Sequence, residues 1–349
     1  MRILFSTYTN AFQNPGGGEN VMLKLRTGLQ AKGHTVEIFE PLTHDPADFD
    51  LCHHFSLFER DTWPHLKRND RPLVVTPTMH LDQKIFGGLR WKLHLATLEV
   101  EERALGHPSG TLKLPDLWLP ATRREARLLQ DYYGLPRERV RLLPNGVDVS
   151  YAGGSPELFR NETGITGPFV LHVGRFHPVK NQMALLRAGA RSKLPVVFIG
   201  GADEDFSDYR EACVKLAREL EARAGKLFTF LDHQPFESPL LRSAYKAASA
   251  FALPSQFETF GISALEALVA GLPLVLTSQV ADPEVFPGAS FVHPDDEEGL
   301  AAALKRAAGG VGKPAAMLVN RMLNTYSWNN ITDKLLDLYE GLGRANAAG

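Results

Sequence analysis

Short apolar, β-branched runs bounded by turn residues recur along this chain, separated by longer stretches of helical spacing, and the whole alternation occurs twice. In the first half the runs are Ile3 to Ser6, Thr35 to Phe39, Phe49 to Cys52, Pro72 to Thr76, Asp116 to Leu119 and Val140 to Leu143. Asn20 to Lys32, Leu89 to Leu105 and Thr122 to Tyr133 lie between them with apolar residues at helical intervals. Runs this short and this continuously apolar suit strands buried on both faces of a parallel sheet, with helices as the crossovers. The second half repeats the plan at Phe169 to Val173, Val196 to Ile199, Leu227 to Leu231, Ala250 to Leu253, Leu274 to Thr277 and Ser290 to His293.

At 349 residues the chain exceeds the ~250–300 residues that one hydrophobic core sustains. The 44% hydrophobic and 22% charged residues provide for two ordinary globular cores. The stretch from Asn145 to Pro168, with Gly153-Gly154-Ser155-Pro156 inside it, has no apolar periodicity and reads as the connection. The expected fold class is therefore α/β, with two Rossmann-like, doubly wound domains facing across a cleft lined by strand C-termini, where ligands should sit. The expected boundaries are 1–150 for the first domain, 151–167 for a linker, 168–313 for the second domain and 314–349 for C-terminal helices able to pack on either domain.

Charge and cysteine content remove several function classes. Lys+Arg 38 against Asp+Glu 40 gives a net charge of -2, without the basic excess that phosphate-backbone binding demands, so nucleic acid is not an expected partner. The two cysteines, Cys52 and Cys213, form neither a disulfide framework nor a cysteine-rich zinc site. Met1-Arg2-Ile3-Leu4-Phe5-Ser6 enters a strand at once instead of building a secretory signal. No uncharged apolar run reaches the ~20 residues that span a bilayer. The expectation is a cytoplasmic protein. Leu89-Arg90-Trp91-Lys92-Leu93-His94-Leu95 offers a peripheral contact with the inner membrane face, in competition with a core helix whose basic edge is solvated.

Two segments carry chemistry. Gln256-Phe257-Glu258-Thr259-Phe260-Gly261-Ile262-Ser263-Ala264-Leu265-Glu266 follows the run Ala250 to Leu253 and leads into a short apolar helix. Gly261 falls at the strand-to-helix turn, where unpaired N–H groups and the positive end of the helix dipole favour a diphosphate. Glu266 sits in an otherwise apolar helix, and a carboxylate there needs donors, which two adjacent ribose hydroxyls would supply. The competing reading makes both glutamates surface charges. Gly174-Arg175-Phe176-His177-Pro178-Val179-Lys180-Asn181 occupies the first βα turn of the second domain. Its guanidinium fork and ammonium would meet phosphate oxygens at a sheet's carboxyl edge and stand in for a metal ion, unless they are merely solvated.

The order and spacing of these segments resemble glycosyltransferase family 4, the retaining enzymes of GT-B fold. The resemblance runs through Gly17-Gly18-Glu19, Asp48-Phe49-Asp50, Pro144-Asn145-Gly146-Val147-Asp148, Gly174-Arg175, Lys180 and Pro254-Ser255. It continues in the Glu258 and Glu266 pair with seven residues between, and in Ala267 and Gly271-Leu272-Pro273. Tyr326-Ser327-Trp328 and the helix to Tyr339 resemble the family's C-terminal element that returns to the first domain. The resemblance implies that Arg175 and Lys180 hold the diphosphate of a UDP-, GDP- or ADP-sugar donor and that Glu266 binds the ribose. Glu258, with backbone groups of Phe260, Gly261 and Ile262, would contact the transferred sugar and the phosphates. Gly17 and Gly18 would admit the phosphates to the first-domain loop, and His80 is similar to the family's active-site histidine. Asp232 stands where the family usually has glycine, which puts base recognition there in question. No cofactor and no metal are expected, and the acceptor is unassigned.

Other chemistries fit less well. Gly16-Gly17-Gly18 begins about ten residues after its strand and has Val21 at the third position of a dinucleotide fingerprint, so an NAD-dependent oxidoreductase is disfavoured. Asp48-Phe49-Asp50 and Asp203-Glu204-Asp205 could suggest a metal, but open a strand and lie in a loop respectively. In Cys52-His53-His54 successive residues of a strand point to opposite faces and cannot converge on one ion; one of the histidines is expected to line the cleft. A GT-B-fold nucleotide-sugar epimerase would share the donor contacts but needs further acid/base groups at the sugar, and a sugar-nucleotide sensor would not need all four charged residues.

Overall fold

The computed structural model describes residues 1–13, 16–57, 59–67, 71–77, 110–131, 133–202, 206–280 and 282–347. The chain divides into two compact units, Met1–Gly146 with Trp328–Gly349, and Val147–Ser327.

The first unit holds a parallel sheet of β1 (Arg2–Ser6), β2 (Thr35–Ile38), β3 (Leu51–Phe55), β4 (Leu73–Thr76) and β5 (Leu117–Trp118), in the order β2-β1-β3-β4-β5. The order reverses beside β1, the position where open α/β sheets leave a crevice at their carboxyl edge. Helix Gly17–Ala31 follows β1. The segment expected as a strand over Val140 to Leu143 makes only a bridge from Val140 to Trp118, with Arg141 and Leu143 N–H donating to the Trp118 and Pro120 carbonyls. β3 runs farther than expected, because His53 and His54 are interior residues of it and not a polar end.

Helix Trp328–Ala347 belongs to the first unit. Thr332 lies against Gly28, where any Cβ would overlap its side chain, and Trp328 covers Gly146 in the same way. Lys32 pairs with Asp333 at 2.6 Å and with Asn329 at 3.0 Å. Deepest in this packing, the Tyr339 hydroxyl stands 2.6 Å from His53 Nδ1, and His53 Nε2 stands 2.8 Å from Thr76 Oγ1. Burial holds Tyr339 protonated and pushes His53 well below its ordinary value. The imidazole is therefore neutral, with one ring nitrogen donating and the other accepting between the two hydroxyls.

The second unit holds six parallel strands, β6 (Val170–Val173), β7 (Val196–Ile199), β8 (Phe228–Leu231), β9 (Ala250–Leu253), β10 (Leu274–Thr277) and β11 (Ser290–Val292), in the order β11-β10-β9-β6-β7-β8. Read from β8 this is the Rossmann order, with its reversal between β6 and β9. The residues of β7 and β9 are buried on both faces, as their unbroken apolar runs imply. Phe198, Leu185, Leu186 and Leu304 are among the side chains that fill the core between sheet and helices.

The stretch expected as a linker, 151–167, is packed instead. It contains helix Glu157–Thr163, the buried Phe159 stacked on Phe169 at 5.2 Å, and a hydrogen bond from Phe159 N–H to Ser243 Oγ at 2.8 Å. Seven residues with one deeply buried ring are too few to display a helical period, which is why the sequence pattern missed it. The two ends of the second unit pair with each other, Val147 N–H donating to the Tyr326 carbonyl at 2.7 Å.

Gly28→Ala should lower stability by about 1–3 kcal/mol through overpacking against Thr332. Thr332→Ala in the same chain should recover most of that loss, a coupling that thermal unfolding of the two single variants and the double variant would measure.

Candidate functional site

The reversal between β6 and β9 sends their following loops to opposite sides of the sheet, and the second unit's chemistry-bearing residues gather there. After β6 the chain passes Gly174 and Arg175 and enters the short 3-10 turn Pro178–Lys180. Gly200, at the end of β7, has no room for a Cβ because the Gly174 carbonyl lies against it, so the two strand ends approach closely. Gly174 N–H donates to the Ile199 carbonyl at 3.0 Å and Phe176 N–H to the Gly201 carbonyl at 2.7 Å.

After β9 the chain runs through Ser255, Glu258 and Gly261 into helix Ile262–Val269. Gly261 is the residue before the helix and has φ +79°, a left-handed conformation that costs an L side chain roughly 1–2 kcal/mol. It turns the helix so that its first N–H groups open at the carboxyl edge of β9, a site suited to an anion.

These two loops are tied together. Lys180 Nζ lies 2.7 Å from Glu258 Oε2, and Ser255 Oγ donates to the same oxygen at 3.0 Å. The pair is largely shielded, with 28% of the lysine and 13% of the glutamate side chain exposed. Gln256 N–H donates to the Val179 carbonyl at 2.7 Å, and the Asn181 amide donates to the carbonyls of Pro254 and Pro294. The sequence assigned Lys180 to phosphate and Glu258 to sugar; the structure places both groups at one point.

Beneath the β6 loop lies a polar chain that the sequence did not announce. His172 Nδ1 donates to the Ala252 carbonyl at 2.9 Å. Gln182 Nε2 stands 3.4 Å from His172 Nε2 and donates to the Arg175 carbonyl at 2.7 Å. Burial, with Lys180 adding to it, pushes His172 down to about 4 against the opposing pull of its Ala252 hydrogen bond and Glu258. The imidazole is therefore neutral, donating at Nδ1 and accepting at Nε2. Its only sequence signal was a histidine inside an apolar strand.

Glu266 is 3% exposed on the face of helix Ile262–Val269 and accepts from the Tyr245 hydroxyl at 2.8 Å. Ile262 is one turn before it, and Phe260 is buried beside the helix start. Asp232, which follows β8, pairs with Arg210 at 2.7 Å, and the Arg210 guanidinium lies 5.7 Å from the Phe176 ring centre.

In the first unit, Gly17 and Gly18 are the first two residues of helix Gly17–Ala31, and Glu19 folds back to accept the Gly16 N–H at 2.6 Å. Tyr8 donates to the other Glu19 oxygen at 2.6 Å. His80, Leu89 to Leu95 and Asp203 to Asp205 lie outside the described residues. Neither His53 nor His54 lines an open surface as expected. Both are fully buried, His53 between Tyr339 and Thr76 and His54 at 3.1 Å from Ser6 Oγ. Asp50 is engaged at the amino end of β1, accepting Arg2 N–H at 2.7 Å. Among the described residues no cluster of three or more His, Cys, Asp or Glu is arranged to hold a metal, and no helix is long and apolar enough to cross a membrane. Burial raises the thiols of Cys52 to about 12 and Cys213 to about 11, which leaves both unreactive.

The arrangement finds parallels in known proteins. Residues 46–151 match the model of Glycosyltransferase Family 4, and residues 167–309 match that of Glycosyl transferases group 1. A D-inositol 3-phosphate glycosyltransferase of Thermomonospora curvata is 30% identical over 339 residues, covering 88% of this chain and 75% of the relative. One from Actinosynnema mirum is 30% identical over 317 residues, covering 85% and 73%. Among solved structures, sucrose-phosphate synthase of Thermosynechococcus elongatus superposes with TM-score 0.78 at 20% identity, over 99% of this chain and all of that one (100%). Anabaena HepE in complex with UDP-glucose superposes with TM-score 0.74 at 18% identity, over 98% and 100%.

Two parallel-sheet α/β domains of this kind, with a basic loop and a helix N-terminus at the second domain's switch point, define a glycosyltransferase of GT-B fold. The chain belongs to glycosyltransferase family 4.

Because His172 is neutral when folded but takes up a proton near 6.5 when unfolded, its contribution to stability is complete above pH 6.5 and fades as pH falls toward 4. The loss by pH 4 amounts to roughly 3 kcal/mol for this residue alone. Urea unfolding of wild type and His172→Gln between pH 7 and 4 should give a shallower decline in the variant, which has no group to titrate there.

Proposed function

We propose that the chain is a metal-independent, retaining glycosyltransferase that takes a nucleoside-diphosphate sugar in its second domain and moves the sugar to a hydroxyl acceptor. The observation that carries this is the convergence of Lys180, Glu258 and the Gly261 helix start on the switch point, with Glu266 one helical turn beyond Ile262. That turn is about 6 Å along the helix, a spacing suited to a diphosphate at the helix start and a ribose at Glu266. UDP and UDP-glucose are ligands of Anabaena HepE, which shares the fold.

In this mechanism Arg175, Lys180 and the N–H groups after Gly261 receive the charge that grows on the departing diphosphate. Groups of this kind, fixed by the fold, stabilise the transition state more than the bound donor. The anomeric carbon passes through an oxocarbenium-like state, with Glu258 at the sugar and no enzyme nucleophile, and the acceptor proton leaves to the diphosphate. Arg175 and Lys180 supply the positive charge that a divalent ion would otherwise bring. His80 is assigned to the donor sugar by family resemblance. The first acceptor to test is D-inositol 3-phosphate, the substrate in the names of the curated relatives.

Transfer should persist in EDTA, measured by sugar release from UDP-, GDP- and ADP-glucose with and without inositol phosphate; loss of turnover restored by magnesium or manganese would overturn the roles given to Arg175 and Lys180. The two glutamates should also separate. Glu266→Ala should weaken nucleoside-diphosphate binding by ~1.5–3 kcal/mol, with donor KM rising to match. Glu258→Gln should keep or tighten that affinity, since Lys180 no longer shares its charge, and should lower kcat. Calorimetry with UDP, GDP and ADP, beside steady-state kinetics, compares them.

A further inference from the structure

Glu266 accepts from a donor supplied by the protein itself. The Tyr245 hydroxyl lies 2.8 Å from Oε2 and 3.2 Å from the Ser263 carbonyl, one turn earlier in the same helix. Tyr245 extends from helix Pro239–Ala247 and is fully buried, with the Tyr151 ring edge-on at 5.2 Å and Phe251 stacked at 5.9 Å. The Tyr151 hydroxyl reaches the Phe236 carbonyl at 3.1 Å and also interacts with Glu266. Two aromatic rings locked by packing thus bring phenol groups to one carboxylate.

The chemistry makes this more than a core contact. Burial first, and the Glu266 charge second, push both phenols above their ordinary range, so they remain donors at neutral pH. A carboxylate offers about four lone-pair positions, and a fixed donor on one of them sets the plane in which the others lie. Ribose presents two adjacent hydroxyls, so its recognition depends on that plane. A 2′-deoxyribose presents only one.

We propose that Tyr245, supported by Tyr151, is a positioning residue for the nucleotide ribose: its hydroxyl orients the Glu266 carboxylate and thereby sets the preference for ribonucleotide over 2′-deoxyribonucleotide. This rests on the assignment of Glu266 to the ribose. Tyr245→Phe keeps the ring against Tyr151 and Phe251 and removes only the hydroxyl. The ribose does not react, so loss of orientation weakens ground state and transition state alike.

The test is calorimetric binding of UDP, GDP and ADP and their 2′-deoxy forms to wild type, Tyr245→Phe, Tyr151→Phe and Glu266→Ala, with donor kinetics on each. Wild type should prefer the ribo form of its nucleotide by about tenfold or more, as a site that hydrogen-bonds a hydroxyl does. Tyr245→Phe should bring that ratio within about twofold of unity and raise donor KM while kcat changes less than twofold, and Tyr151→Phe should move the ratio less, in the same direction. A wild-type ratio in a folded Tyr245→Phe overturns the inference and leaves the ribose assignment standing. If that variant does not fold, an unchanged ratio in Tyr151→Phe overturns it. Absence of a preference in wild type, or its survival in Glu266→Ala, overturns the ribose assignment itself.

Discussion

The Lys180–Glu258 ion pair joins two loops that the sheet topology drives apart. β6 and β9 are neighbours, yet their crossovers leave on opposite faces, and the open carboxyl edge between them is where the order reverses. A 2.7 Å contact between partly shielded charges, with Ser255 on the same oxygen, closes that opening to a defined width. The Asn181 amide and the Gln256 N–H add backbone ties that keep the loops in register with each other. Both charged groups are thereby held at one point by contacts within the protein.

Two buried histidines, one in each unit, are met by partners from other parts of the chain. His172 is satisfied by the Ala252 carbonyl and connects through Gln182 to the Arg175 carbonyl. His53 is satisfied by Tyr339, 286 residues away, which fastens the last helix to the first sheet. Removing one member of such a pair leaves its partner buried and unpaired, a cost greater than the hydrogen bond itself. These links hold loops and helices in place.

The relatives at 20% identity or below that share this fold show how little of it depends on particular residues. Buried strands need apolar, β-branched side chains of suitable volume, and many sequences supply them. A ligand site is different, because its charged groups must reach fixed points. Acceptor choice is a property of side chains grafted on the fold and does not follow from the fold.

The sequence by itself determined the parallel α/β architecture of both halves, because continuous apolar runs and helical spacing are local signals that survive in one dimension. It also singled out Arg175, Lys180, Glu258, Gly261 and Glu266 as candidates, since charged residues and glycine after apolar strands, and a carboxylate inside an apolar helix, contradict the pattern around them. Tertiary structure decided the rest. It assigned the 151–167 stretch to the second unit through Phe159, returned Trp328–Ala347 to the first unit, and buried His53 and His54 inside β3. It put Lys180 on Glu258 and Tyr245 on Glu266. None of these follows from local pattern, because whether a buried polar group is tolerated depends on a partner tens or hundreds of residues away, and only the folded chain brings the two together.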